Sequence, residues 1–293
     1  VDAYIVLCNP TMRIDQDIAV DEFNHAVVAI KKDGGYEFLD PTVENTTEYL
    51  LAYEEGKQML VCDEDGEPLR TIPYSKPDKH ALKVTLQMEI DTSCSVIGRL
   101  HFSTKGFYDW VFRNMLKKMP VEFRRQLFQQ MVTELGPNAV LDSFSMTELD
   151  NFDENVWFTL YYHMSEFGVK YGNEYRFKLG GSGGFQLGGN PFALEERHYP
   201  LFMHTVMQTE SKAVVKLPEG YRVKHLPEDM QLDSEQLESY VKYEVVGDTI
   251  FVTSYSCVKD PFIPVTVYPE IKRKFDKLQQ LAQQDIVLER KKF

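Results

Sequence analysis

An Asp33-Gly34 step between two apolar runs constrains this chain more than any other feature. Before it stands Phe23-Asn24-His25-Ala26-Val27-Val28-Ala29-Ile30, closed by Lys31 and Lys32. After Gly35 comes Tyr36-Glu37-Phe38-Leu39-Asp40-Pro41-Thr42. Asp-Gly between β-prone runs signals a hairpin with a two-residue turn. The first run is apolar on both faces after His25, as a central strand is. The second stops at Pro41, which has no N–H to give to a ladder. With Asp33 and Gly34 in the turn, Lys32 faces Gly35 and Val27 faces Asp40. Side chains alternate along a strand, so His25 shares a face with Val27 and therefore with Asp40. The two form a diagonal pair within reach of an imidazole–carboxylate hydrogen bond. An odd-numbered loop would put them on opposite faces.

A histidine oriented by a carboxylate is two parts of a nucleophilic triad. The carboxylate fixes the tautomer and stabilises the imidazolium, and the imidazole takes a proton from a thiol or hydroxyl. On the residues alone, such a pair also serves as a purely structural contact.

The rest of the chain reads as β-rich. The prolines at 73 and 77, after the acidic turn at 63–67, mark a break. Beyond it Leu82, Val84, Leu86, Met88 and Ile90 alternate with Lys83, Thr85, Gln87 and Glu89, a strand with one wet face. Residues 94–102 read as its partner. Tyr108, Val111, Phe112, Met115 and Leu116 have helical spacing; Pro120 interrupts it, and Phe123, Leu127, Met131 and Leu135 resume it until Gly136-Pro137. Strand-like runs follow at 156–164, 169–179, 200–206, 213–217 and 249–258, with a Gly247-Asp248 turn, which suggests a β-sandwich. A helix over about 269–284 with Pro269 in its first turn precedes a closing strand at 286–288.

Composition removes several function classes. Of 293 residues, 43% are hydrophobic and 26% charged, enough for packed cores. The net charge of −13, with no basic block, argues against nucleic acid as a partner. No run of ~18 apolar residues offers a transmembrane helix. The glycines at 180–189 lack the lysine and spacing of a phosphate loop, so no cofactor site is read there. Asp150, Asp153 and Glu154 lack calcium-loop spacing, and Cys8, Cys62, Cys94 and Cys257 lack zinc spacing, so no metal site is read either. The thiols read as isolated, mostly buried groups.

The sequence F-N-H-A-V-V-A-I, the D-G turn, Y-E-F-L-D-P-T and the later Leu60-Val61 strand resemble the His and Asp region of transglutaminase-like proteins, in the papain-like cysteine peptidase superfamily. The resemblance covers roughly residues 1–74 and matches His25 to the catalytic His and Asp40 to the catalytic Asp. Residues 75–293 resemble, on weaker signals, the β-rich C-terminal region of bacterial envelope proteins with this core. Those signals are Asn190-Pro191-Phe192 with Arg197, Lys216-Leu217-Pro218-Glu219-Gly220-Tyr221, and Tyr268-Pro269-Glu270 with Ile286-Val287-Leu288. The fold class implied is α+β: the C-terminal half of a transglutaminase-like sheet core over 1–74, then a β-sandwich-like domain with a few helices over 75–293.

The family's nucleophile should start a helix tens of residues before the His strand, where the helix N-terminus lowers a thiol pKa. Residues 1–24 offer only Cys8, which follows the apolar run 4–7, in the position of the strand preceding the His strand. The chain thus reads as starting within a domain, with its nucleophile upstream and no activity of its own. The resemblance implies Cys–His–Asp acyl transfer on amide bonds of a peptide or protein, hydrolytic if water is the acceptor and transamidating if an amine is. It also implies export to the periplasm or the extracellular space. The alternative is a non-catalytic β-rich binding or scaffold protein of the cell envelope.

Overall fold

The computed structural model describes residues 2–14, 22–179 and 190–291. Strands β1 (Ala3–Cys8), β2 (His25–Lys32), β3 (Gly35–Leu39), β4 (Gln58–Val61) and β5 (Arg70–Thr71) form one antiparallel sheet in the order β3-β2-β1-β4-β5. The β2–β3 hairpin turns on Asp33-Gly34, with Lys32 opposite Gly35 and Val28 opposite Leu39. Gly34 has φ +93°, a conformation open to glycine and strained for other residues. The turn is therefore even-numbered, and Asp40 continues the register on the face of Val27. That face is apolar and packed: Val6, Cys8, Val27, Ala29, Met59 and Val61 cluster with Ile72. The opposite face is barer, with Ile5 64% exposed.

The chain continues through β6 (Ala81–Ile90), β7 (Val96–Thr104), α1 (Phe107–Lys118), α2 (Val121–Thr133), β8 (Ala139–Met146), β9 (Trp157–Met164), β10 (Val169–Tyr171), β11 (Glu174–Phe177), β12 (Leu201–Phe202) and β13 (Met207–Lys216). It closes with β14 (Tyr221–His225), β15 (Met230–Asp233), β16 (Leu237–Val246), β17 (Thr249–Val258), β18 (Phe262–Ile263), α3 (Tyr268–Ala282) and β19 (Ile286–Arg290). Eight of these strands form a large sheet in the order β15-β16-β17-β13-β6-β7-β9-β8, antiparallel except where β13 lies parallel to β6. A four-stranded sheet, β10-β11-β19-β14, packs against it. One apolar cluster joins Phe112, Leu116 and Phe128 of the helices, Phe102, Phe158 and Leu160 of the large sheet, and Tyr175, Phe177 and Leu288 of the smaller one. The architecture is α+β and mainly β; in the β-rich part the eight- and four-stranded sheets pack together with helices against their shared core.

Several local outcomes differ from the sequence expectation. The run at 169–179 is a hairpin rather than one strand, because Gly172 takes φ +61° between β10 and β11. Only Leu201 and Phe202 of the run at 200–206 pair in a sheet, and His204 adopts φ +66°, which ends extended pairing there. Cys94 lies not in β7 but in the turn before it, at φ +69°. The glycine run at 180–189 falls outside the described residues.

A polar joint ties the first sheet to the rest. The buried Glu55 accepts hydrogen bonds from the Ser75 N–H (2.9 Å), the Ser75 hydroxyl (2.5 Å) and His80 Nε2 (3.4 Å). The other ring nitrogen of His80 accepts the Phe107 N–H at 3.1 Å and so caps α1. Lys57, 0% exposed, carries its ammonium 4.1 Å above the Phe202 ring of β12.

Candidate active site

The hairpin delivers the pair that the sequence places on one face. His25 Nε2 lies 2.9 Å from Asp40 Oδ2. An ionised carboxylate only accepts, so Nε2 carries the proton of that bond and Nδ1 is the ring nitrogen left for proton transfer. Asp40 is 7% exposed and is fixed from its other oxygen: Oδ1 accepts the Thr42 N–H at 2.9 Å and the Thr42 hydroxyl at 2.7 Å. Its own N–H donates to Tyr49 O at 2.7 Å. Burial works against the Asp40 charge, but the Thr42 hydroxyl, His25 and the Thr42 N–H outweigh it and hold the carboxyl below its usual range. The Asp-Pro-Thr step thus both stops the strand and clamps the carboxylate.

A third group stands beside them that the sequence analysis missed. Glu54 ends the short 3₁₀ turn Ala52–Glu54 and is 0% exposed. Its Oε2 accepts the Leu51 N–H at 2.7 Å, while Oε1 has no hydrogen-bond partner. Single donor atoms of His25, Asp40 and Glu54 lie within 4.8 Å of one another. Burial, reinforced by the Asp40 charge and opposed by the Leu51 N–H, pushes the Glu54 carboxyl up to about 7. Nothing in its loop has periodicity or motif spacing; the only hint is a Glu in an acidic Tyr-Glu-Glu step close to an apolar Leu-Leu-Ala.

The thiols are arranged differently. Cys8 is the direct cross-strand neighbour of His25. It is buried, and burial, then the Glu54 and Asp40 charges, push its pKa up to about 12, the reverse of what a nucleophile needs. Cys62 is exposed and follows β4, on the sheet face opposite His25. Cys94 and Cys257 are buried in the β-rich part, and burial raises the Cys257 thiol. All four are free.

The other residues singled out from sequence take structural places. Glu154 accepts from the Trp157 indole at 2.7 Å and from the Thr147 hydroxyl at 2.9 Å, and Asp150 pairs with Lys117 at 2.6 Å.

The family model described as "Domain of Unknown Function with solved-structure structure (DUF3858)" matches residues 184–288. No curated protein matches the chain. Among solved structures, the chain is similar to a protein described as a "putative protease" from Parabacteroides distasonis ATCC 8503, at 10% identity and a TM-score of 0.46. That likeness covers 98% of this chain and 40% of the other, so the chain spans less than half of that protein's length. No helix among the described residues is long and apolar enough to cross a membrane.

Proposed function

We propose that His25 and Asp40 are the base and its orienting carboxylate in a Cys–His–Asp acyl-transfer centre acting on amide bonds, with the thiol supplied by sequence outside these 293 residues. The observation that carries the reading is the 2.9 Å His25–Asp40 bond at the end of a clamped hairpin. In this reading His25 Nδ1 takes the thiol proton, and the thiolate adds to the amide carbonyl. The imidazolium, stabilised by Asp40 through Nε2–H, returns that proton to the departing amine as the C–N bond breaks. Water or a second amine then releases the acyl group, giving a peptidase or a transglutaminase. Residues 1–74 belong to a transglutaminase-like core and 75–293 to a β-rich domain, exported to the periplasm or the extracellular space. The suppressed Cys8 thiol supports an upstream nucleophile, and equally the alternative of a non-catalytic envelope binding protein. A thiol-directed peptide electrophile separates the two when applied to the gene product carrying these residues. Labelling lost in His25→Ala supports the enzyme; no labelling, or labelling unaffected by His25→Ala, supports the binding protein.

A further inference from the structure

Two buried carboxylates meet one imidazole at the end of the β2–β3 hairpin, and the donors there do not suffice. Thr42 occupies Asp40 Oδ1, and the Leu51 N–H occupies Glu54 Oε2. Asp40 Oδ2 accepts from His25 Nε2, while Glu54 Oε1 is buried without a donor. A buried carboxylate oxygen without a partner is costly, and when both carboxyls are ionised their two negative charges face at most one positive charge. Each carboxylate thus has one oxygen fixed by its own loop; the second oxygen accepts from His25 on Asp40 and has no partner on Glu54. Such fixing is how outer partners orient the residues that bind a metal.

We propose that His25, Asp40 and Glu54 form a binding site for a divalent transition cation of the zinc class. One imidazole nitrogen with two carboxylate oxygens suits zinc, whereas calcium and magnesium call for oxygen-only shells of six or more ligands. Bond lengths of ~2.1 Å in a tetrahedral site put the donor atoms ~3.4 Å apart. The present atoms, 2.9 Å apart at His25–Asp40 and all within 4.8 Å, bracket that spacing. The His25 side chain is 25% exposed, which leaves an approach for the ion and for a water in the fourth position.

The ion needs the Nε2 lone pair, so the imidazole shifts its proton to Nδ1. His25 then gives up its bond to Asp40 and loses the basic nitrogen that faces a thiol. Zinc and proton abstraction at His25 exclude one another, and the ion is an inhibitor. This consequence rests on the proposed acyl-transfer role; the binding itself does not.

Isothermal titration of the 293-residue protein with zinc chloride, in a buffer that does not chelate, tests the site without any substrate. The expected result is one ion per chain with a micromolar or tighter Kd, and a thermal midpoint that rises with zinc. Glu54→Gln and His25→Gln should each weaken binding at least ~10-fold and lose the thermal shift. If Glu54→Gln does not fold by circular dichroism, the partly exposed His25→Gln carries the test. Absence of binding below millimolar zinc, or unchanged affinity in the folded variants, overturns the proposal. An inert His25 in the labelling experiment would leave this titration unaffected, so the two ideas fail separately.

Discussion

Cys8 and His25 are direct neighbours across the β1–β2 ladder, yet burial, reinforced by the Glu54 and Asp40 charges, pushes the thiol up to about 12. A thiolate there would add a third negative charge to Asp40 and Glu54. Cys8 should therefore resist alkylation in the native state. With iodoacetamide at pH 8, mass spectrometry is expected to find Cys62 modified first, since it alone of the four thiols is exposed. Rapid modification of Cys8 would show a thiol far more acidic than its surroundings allow.

Thr42 holds Asp40 through both its N–H and its hydroxyl. Thr42→Val keeps the shape and the N–H contact but removes a hydroxyl bond to a buried carboxylate. Bonds to charged groups contribute about 1.5–3 kcal/mol. Urea denaturation should show a loss of that order with an unchanged slope, and Thr42→Ser should recover most of it.

Lys57 sets two effects against each other. The Phe202 ring attracts its ammonium, and burial without a hydrogen-bond partner opposes the charge. Its pKa falls from 10.5 to about 8, chiefly through burial and then the Arg13 charge, so desolvation wins. Between those values the unfolded chain binds more protons than the folded one, and stability should rise with pH. Lys57→Met should be more stable than the parent at pH 7, with the gain shrinking as pH climbs from 8 towards 10.5. A difference independent of pH across that window would contradict the assignment.

Arg113 is 1% exposed and uses its donors fully. Asp109 receives Nε and one terminal nitrogen, and the carbonyls of Leu149, Asn151 and Glu154 receive the rest. It ties α1 to the loop before β9. Arg113→Ala leaves a buried carboxylate and three carbonyls short of donors and should cost about 3–5 kcal/mol by chemical denaturation. Arg113→Lys should lose nearly as much, since an ammonium cannot reach the same fork of acceptors.

The hairpin was readable because its information is local. Asp33-Gly34 sets the turn, Pro41 sets the end, and strand alternation does the rest. The helices were readable for the same reason, bracketed by Pro120 and by Gly136-Pro137. What stayed hidden depends on distant parts of the chain. The parallel pairing of β13 with β6 joins Thr209 to Leu82, and no local pattern announces it. Glu54 reaches the site from a turn with no periodicity, and Lys57 lies against Phe202 of β12, which arrives from far along the sequence. The short extent of β12 follows from His204, a backbone choice that residue type does not dictate.

The central claim is that His25 serves as a base through its bond to Asp40. It is tested most directly by amide-bond cleavage in the gene product that carries these residues, compared with His25→Ala and Asp40→Asn. Loss of all detectable cleavage in His25→Ala, and a fall of at least ~100-fold in kcat for Asp40→Asn with both variants folded, is the expected result. Cleavage by folded His25→Ala at the parent rate would contradict the claim.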